Sequence, residues 1–165
     1  CRDLLENFGG HTYAAGLSLK EENLDAFTQR FLKLAADEII PEQMTPQIDI
    51  DAVLDLQDIN AKFMSELKKM NPFGPDNQKP VFCSLGVKDY GTSKLVGKDL
   101  EHIKLELIDD KSNTPIHGIA FGMHQHNTHI KNMKPFNICY TIEENTYNGN
   151  TSLQLMVKDI KENDI

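Results

Sequence analysis

Four consecutive residues, Phe8-Gly9-Gly10-His11, carry the sharpest chemical signal in the chain. Glycines lack a Cβ, so their backbone N–H groups approach an anion closely, and an imidazole adds a donor to a phosphate oxygen. The same residues also read as a glycine helix stop followed by a histidine, and so short a motif does not separate the two. A second group, His124-x-His126-x-x-His129, offers the imidazoles that transition metals favour. No cysteine lies near it and carboxylates are distant in sequence, so a polar helix or loop is expected there instead. Asp49, Asp51, Asp55 and Asp58 lack the glycine and closing glutamate of a calcium loop and are expected at a strand edge and a helix cap. A third group, Lys88, Lys94, Lys98, His102 and Lys104, is a candidate phosphate-tracking patch. Asp99, Glu101 and Glu106 interleave with it, so an ordinary solvated surface explains it equally well. Tyr90, Tyr140 and Tyr147 present rings on which bases stack. Tyr140 sits in an alternating apolar row and is expected in the core, whereas Tyr147 adjoins a turn. Phe73, in a Pro-Phe-Gly turn, is expected to pack rather than stack.

The elements that must position these groups follow from periodicity. Residues 1–8 read as a helix end stopped by Gly9-Gly10, and Tyr13 to Leu19 as a short buried strand. Ser18-x-x-Glu21 is a candidate capping box for a helix carrying Leu24, Phe27, Phe31 and Leu34, running to about Ile40 before Pro41. The stretch Pro41 to Pro46 reads as a linker. Ile48 to Leu56 gives a short strand, and Ile59, Phe63, Leu67 and Met70 a helix capped by Asp55 or Asp58. From Pro80 the period becomes two: Val81 to Tyr90, Thr92 to Val96, Ile103 to Leu107, Ile116 to Phe121, Phe136 to Ile142 and Leu153 to Val157. A polar helical insert at 124–133 precedes the last hairpin, whose turn is Asn148-Gly149. Five or six short strands with one such insert suggest a closed OB-type barrel, a fold whose usual ligands are oligonucleotides or oligosaccharides. Fold alone does not fix that job.

Composition narrows the classes. The chain has 165 residues, 39% hydrophobic, with net charge −8, which excludes a disordered chain and argues against a broad polyanion-binding surface. The imbalance is uneven: residues 1–79 hold 8 Lys/Arg against 14 Asp/Glu, and residues 80–165 hold 9 against 11. No apolar run approaches the roughly 18 residues of a membrane span, so no membrane partner is expected. Cys1, Cys83 and Cys139 have no motif spacing and predict free thiols in a reducing cytoplasm. Starting on Cys1, with no apolar leader, the sequence is expected to be a piece of a longer chain.

Phe8-Gly9-Gly10-His11, then Ala14-Ala15-Gly16-Leu17 and the Leu24/Phe27 helix, resembles the end of the DHH-associated domain of DHH-family phosphoesterases. Asn71-Pro72-Phe73-Gly74 with Asn77 and Pro80-Val81-Phe82, then His102-Ile103-Lys104-Leu105, Ile119-Ala120-Phe121, Asn145-x-Tyr147-x-Gly149 and Leu153-Gln154-Leu155-x-Val157-x-Asp159, resemble the OB domain of RecJ-like exonucleases. The order is kept over almost the whole chain. The resemblance implies bacterial 5′-to-3′ degradation of single-stranded DNA in recombination and repair. It implies manganese or magnesium held by Asp and His of an N-terminal DHH catalytic domain. No Asp-His-His sequence occurs here, so that domain and the Arg-rich first part of the DHH-associated domain lie outside this chain. It assigns Gly9, Gly10 and His11 to a loop facing the substrate phosphate, and the OB part to guiding the strand.

The resulting expectation is an α/β (α+β) remnant over residues 1–45 and a mostly-β OB-fold barrel with its lead-in strand and helix over residues 46–165. Its function is expected to be single-stranded-DNA binding through Lys88, Lys94, Lys98, His102, Lys104 and Tyr147, with no catalytic residue and no cofactor in this piece. Expected partners are single-stranded DNA, the N-terminal DHH catalytic domain and a single-strand-binding protein. A protein–protein docking domain is the alternative, favoured by the acidic excess. A self-sufficient hydrolase using His11 or the 124–129 histidines ranks last, because no nucleophile–base constellation supports it.

Overall fold

The computed structural model describes residues 1–147 and 149–162, without the side chains of Asn113 and Tyr147. Two units separate at Ile48/Asp49. The first contains a 3-10 turn at Arg2–Leu4, strands β1 (Asn7–His11) and β2 (Ala14–Ser18), a 3-10 turn at Glu21–Asn23, helix α1 (Leu24–Glu38) and a 3-10 turn at Pro41–Met44. The Pro41 segment expected to be a linker is therefore turned.

Gly9-Gly10 does not stop a helix. Both glycines lie within β1, opposite Gly16 and Ala15 of the antiparallel partner β2. A Cβ on Gly10 would sit 2.6 Å from the Ala14 carbonyl oxygen and 2.7 Å from the Ala15 Cα, so close backbone approach is what requires glycine there. The strand expected over Tyr13 to Leu19 forms as β2, but it is exposed throughout rather than buried. No residue of this unit is buried. One hairpin and one helix do not enclose an apolar stripe, and Leu24, Phe31 and Leu34 remain 52%, 53% and 41% exposed. The Ser18/Glu21 capping box does not form either. Asn23 precedes α1, and its amide donates to the Leu4 carbonyl at 3.2 Å instead of capping the helix.

The second unit contains β3 (Ala52–Val53), a 3-10 turn at Leu56–Asp58, α2 (Ala61–Lys68), β4 (Phe82–Asp89), β5 (Lys94–Val96), β6 (His102–Asp109), β7 (Ser112–Ala120), a 3-10 turn at His124–His126, α3 (Asn127–Lys131), β8 (Phe136–Tyr147) and β9 (Asn150–Glu162). The strand expected over Ile48 to Leu56 shrinks to two residues, parallel to the start of β4. Neither Asp55 nor Asp58 caps α2. Asn60 does, its Oδ1 accepting from the N–H of Lys62 at 3.0 Å and of Phe63 at 3.1 Å.

The sheet runs β3-β4-β8-β9-β7-β6-β5, and β4 also pairs with β6, closing a barrel of β4, β6, β7, β9 and β8. Around it, β7 and β9 run parallel and the other four pairs antiparallel. This is an OB fold, mostly β, with α3 before the last hairpin. Gly149 takes the left-handed φ of 78° expected at that hairpin, while Asn148 lies outside the described residues.

Alternation does what period two demands. Ile103, Leu105 and Leu107 of β6 are fully buried, joined by Phe136, Ile138, Tyr140 and Ile142 from β8, Leu155, Val157 and Ile160 from β9, and Ile130 from α3. Each such side chain contributes about 1.5–3 kcal/mol by leaving water. The buried Tyr140 hydroxyl sits 2.7 Å from Ser84 Oγ, which donates to the Leu54 carbonyl at 2.7 Å. Phe73 packs partly buried against the same core. Among the described residues no helix is long and apolar enough to cross a membrane.

Candidate nucleic-acid interface

The residues of β6 that do not enter the core form an outward row: His102, Lys104 and Glu106. Register extends that row sideways. Lys94 of β5 lies directly opposite Lys104, and Val96 opposite His102. On the other flank Lys104 faces Ile119 and Glu106 faces His117 of β7. Directly opposed residues in antiparallel strands project to the same side, so Lys94, Lys104 and Ile119 share one outer band. Lys94 and Lys104 are exposed, and among the described residues neither has a hydrogen-bond or ion-pair partner. Two like charges directly opposed on a sheet repel, and among the described residues no carboxylate lies within ion-pair distance of either ammonium.

The carboxylate best placed to do so is already committed. Glu106 Oε2 bonds the Thr92 hydroxyl, and its Oε1 lies 3.5 Å from His117 Nδ1. The β4–β5 turn that delivers Lys94 is fixed from beneath by Asp89, which is 1% exposed. Asp89 Oδ1 accepts from the Ser93 N–H at 3.1 Å, and Ser93 Oγ accepts from the Glu106 N–H at 2.9 Å. Lys131 of α3 reaches Asp89 Oδ2 at 3.4 Å. Burial opposes charge on Asp89, yet the hydrogen bonds from the Ser93 side chain and backbone and the Gly91 N–H, with Lys131 beside them, hold its carboxyl below the usual range. A buried anion thus anchors the turn that presents an unpaired cation.

The remaining patch residues differ from one another. Lys98, in the β5–β6 loop, is exposed and without a partner among the described residues. Lys88 is engaged by Asp110 at 3.0 Å. His102 uses both nitrogens: Nδ1 accepts from the Gly122 N–H at 3.0 Å, which leaves the proton on Nε2, 3.2 Å from Glu101 Oε1. Its ring stands edge-on to Phe121, with centroids 4.9 Å apart at 79°. Phe121 is 55% exposed just beyond the end of β7, on the band's margin. In the sequence Phe121 reads as the end of a strand and as part of the Ile119-Ala120-Phe121 motif, with no binding role assigned to it. Its signal was the parity of β7, which leaves an aromatic at an outward position after the inward Ala120. Tyr90, 49% exposed, directly follows β4 and anchors by its N–H to the Glu106 carbonyl at 2.8 Å. Tyr147 has no described side chain, and Tyr140 is core.

The other predicted groups belong to other elements. Gly9, Gly10 and His11 sit on the hairpin of the first unit, where His11 Nδ1 accepts from the Tyr13 N–H at 3.2 Å. His126 and His129 share one carboxylate: their Nδ1 atoms lie 2.8 and 3.2 Å from the two oxygens of Glu162, which ties α3 to the end of β9. Asp51 and Asp55 bind the Val81 N–H and the Lys111 ammonium, at 2.8 and 2.7 Å. Among the described residues no group of three or more His, Cys, Asp or Glu side chains converges as metal ligands.

Comparison with known proteins agrees with this architecture. The chain is 29% identical over 160 residues to the single-stranded-DNA-specific exonuclease RecJ of Bacillus subtilis, covering 96% of this chain and 20% of that protein. It is 28% identical over 158 residues to the RecJ of Salmonella typhimurium, covering 96% of this chain and 27% of that one. The chain therefore spans about a fifth to a quarter of these relatives. The crystal structure of Thermus thermophilus RecJ in complex with Mn2+ superposes with a TM-score of 0.73 at 21% identity, over 99% of this chain and 23% of that one, and so shares the fold. The family described as the RecJ OB domain matches residues 50–159, and the chain belongs to that family.

Proposed function

We propose that this chain is the strand-guiding part of a RecJ-like 5′-to-3′ single-stranded-DNA exonuclease of recombination and repair, with its OB barrel holding DNA on the outer band of β5, β6 and the end of β7. One observation carries the reading: Lys94 and Lys104 are directly opposed with no anionic partner among the described residues, an arrangement that a phosphate relieves. Lys98 extends the cationic track, and Phe121 with Tyr90 supplies stacking surfaces that accept any base. Hydrolysis belongs to a metal-bearing DHH domain elsewhere in the longer protein. The cytoplasm, where its substrate and reductants are, is its place of action. On the first unit, Gly9, Gly10 and His11 serve the substrate phosphate once the catalytic domain is present.

Fluorescence anisotropy of a labelled single-stranded oligonucleotide, read across a salt series, tests this. Binding at low salt that weakens steeply as salt rises is expected. No binding at low salt, or binding indifferent to salt, overturns the proposal. The pure chain is also expected to release no nucleotides in manganese, and turnover would contradict the assignment of chemistry to another domain.

A further inference from the structure

Cys83 of β4 and Cys139 of β8 are register partners, directly opposite each other across an antiparallel pair. Their kind of pairing follows from the other side of β4. The Leu54 N–H donates to the Cys83 carbonyl at 2.8 Å, so the polar backbone groups of Cys83 point toward β3 and away from β8. Cys83 and Cys139 therefore form a non-hydrogen-bonded pair, the closer of the two alternating spacings, with Cα atoms about 4.5 Å apart. That lies within the range of roughly 4.4–6.8 Å that a disulfide spans.

Neighbouring positions place the pair outside the barrel core. Phe82 and Tyr140, the register partners one step along, belong to the core cluster, whereas neither cysteine does. Both thiols are free and nevertheless sheltered, at 7% and 8% exposure. Val53 flanks Cys83 across β3, and Asp159 flanks Cys139 across β9. The Cys139 thiol points to the Asp159 carbonyl at 4.0 Å.

We propose that Cys83 and Cys139 form an oxidative modification site, closing a reversible cross-strand disulfide between β4 and β8 when the protein meets a small hydroperoxide. Cys83 takes the first step in this route. Burial raises the pKa of both thiols, and at Cys139 the Asp159 carboxylate and Cys83 add to the rise while backbone hydrogen bonds oppose it, so the thiolate is the minor form at both sites and the oxidation is slow. The Cys83 thiolate attacks one peroxide oxygen, the O–O bond breaks, and the departing oxygen takes a proton and leaves as water or an alcohol. The sulfenic acid formed on Cys83 is then attacked by the Cys139 sulfur. The S–S bond forms as the S–O bond breaks, and the thiol proton leaves with the hydroxyl as water. Two thiols are oxidised and one peroxide is reduced. The bond ties strands that β5, β6, β7 and α3 separate in sequence.

The test uses the Cys1→Ser chain, which removes the thiol outside the pair. It is titrated with hydrogen peroxide, unfolded in urea with a maleimide, and weighed intact. The expected result is loss of both alkylatable thiols together, a mass lower by two hydrogens with no oxygen added, an unreduced peptide map joining the Cys83 and Cys139 peptides, and recovery of both thiols with dithiothreitol. Oxygen retained on either sulfur, linkage only between molecules, or two unreacted thiols at peroxide levels that oxidise Cys1 of the wild type would overturn the proposal. Cys139→Ser in the same background is expected to hold added oxygen on Cys83 that a sulfenic-acid trap captures. An unlabelled Cys83 there counts against the stepwise route.

Discussion

Replacing Lys94 or Lys104 with glutamine should make this domain more stable and, at the same time, a poorer ligand for DNA. The two ammonium groups project from directly opposed positions with no counter-ion among the described residues. Exposed like-charge pairs of this kind cost a few tenths of a kcal/mol, because long side chains splay apart and water screens them. Either single substitution should therefore gain about 0.5 kcal/mol in urea unfolding, and the double substitution no more than a single one, since the repulsion vanishes with the first. DNA binding behaves differently, because each lysine that neutralises a phosphate contributes about 0.7 to the slope of log affinity against log salt on a single strand. Between about 50 and 200 mM salt, one lost contact shrinks the change in Kd about 2.6-fold, and two lost contacts about 7-fold. Stability should thus be non-additive while the salt slope is additive. Urea melts read by tyrosine fluorescence and anisotropy titrations at four salt concentrations measure both. A salt slope identical to wild type in the double variant, or a loss of stability in the singles, would refute the reasoning.

Phe121→Ala should weaken oligonucleotide binding by about 1–3 kcal/mol while leaving the salt slope unchanged, since a stacking face carries no charge; anisotropy at two salt concentrations checks both parts. Asp89 titrates below the ordinary carboxylate range when folded, so its contribution is complete above the unfolded value near 3.9 and is lost as pH falls through that value toward the folded one. Asp89→Asn should accordingly be less stable near neutrality and lose stability less steeply below about pH 4 than wild type, in urea melts across an acid series. Tyr140→Phe leaves Ser84 with its bond to Leu54 but without the buried hydroxyl partner, and should cost about 1 kcal/mol with an unchanged urea m-value.

The barrel was legible because its signal is local. The alternation Ile103, Leu105, Leu107 against His102, Lys104, Glu106 sets the inside and outside of β6 without reference to any other strand, and the same holds for Phe136 to Ile142. The residues that repel across β5 and β6 were individually visible, but their opposition was not. A register is a relation between two segments, and only closure of the turn at Tyr90–Ser93 over Asp89 decides it. Phe121 was missed for the same reason: its exposure depends on where β7 ends. The first unit was misread most. Gly9-Gly10 ahead of an apolar stretch fits a helix stop and a tight hairpin equally well in sequence. The contact between Gly10 and the Ala14–Ala15 backbone that separates them involves a segment that propensity does not see. Asn60 caps α2 in place of Asp55 and Asp58 because the helix starts at Ala61, two residues beyond Ile59, the first residue of the apolar stripe.

The parallel contact between β7 and β9 has a consequence for how the chain is made. Of the barrel strands, β9 is the last to be synthesised. Until residues 154–157 leave the ribosome, the edge of β7 from His117 to Ala120 has no neighbour, and Ile103, Leu105 and Leu107 look out on water. A nascent or truncated chain ending before Gln154 is thus a sheet with two open rims and an apolar floor, the form most prone to join another copy. Translation stalls or stop codons in this stretch should leave aggregates, whereas losses within the first unit should leave the barrel intact.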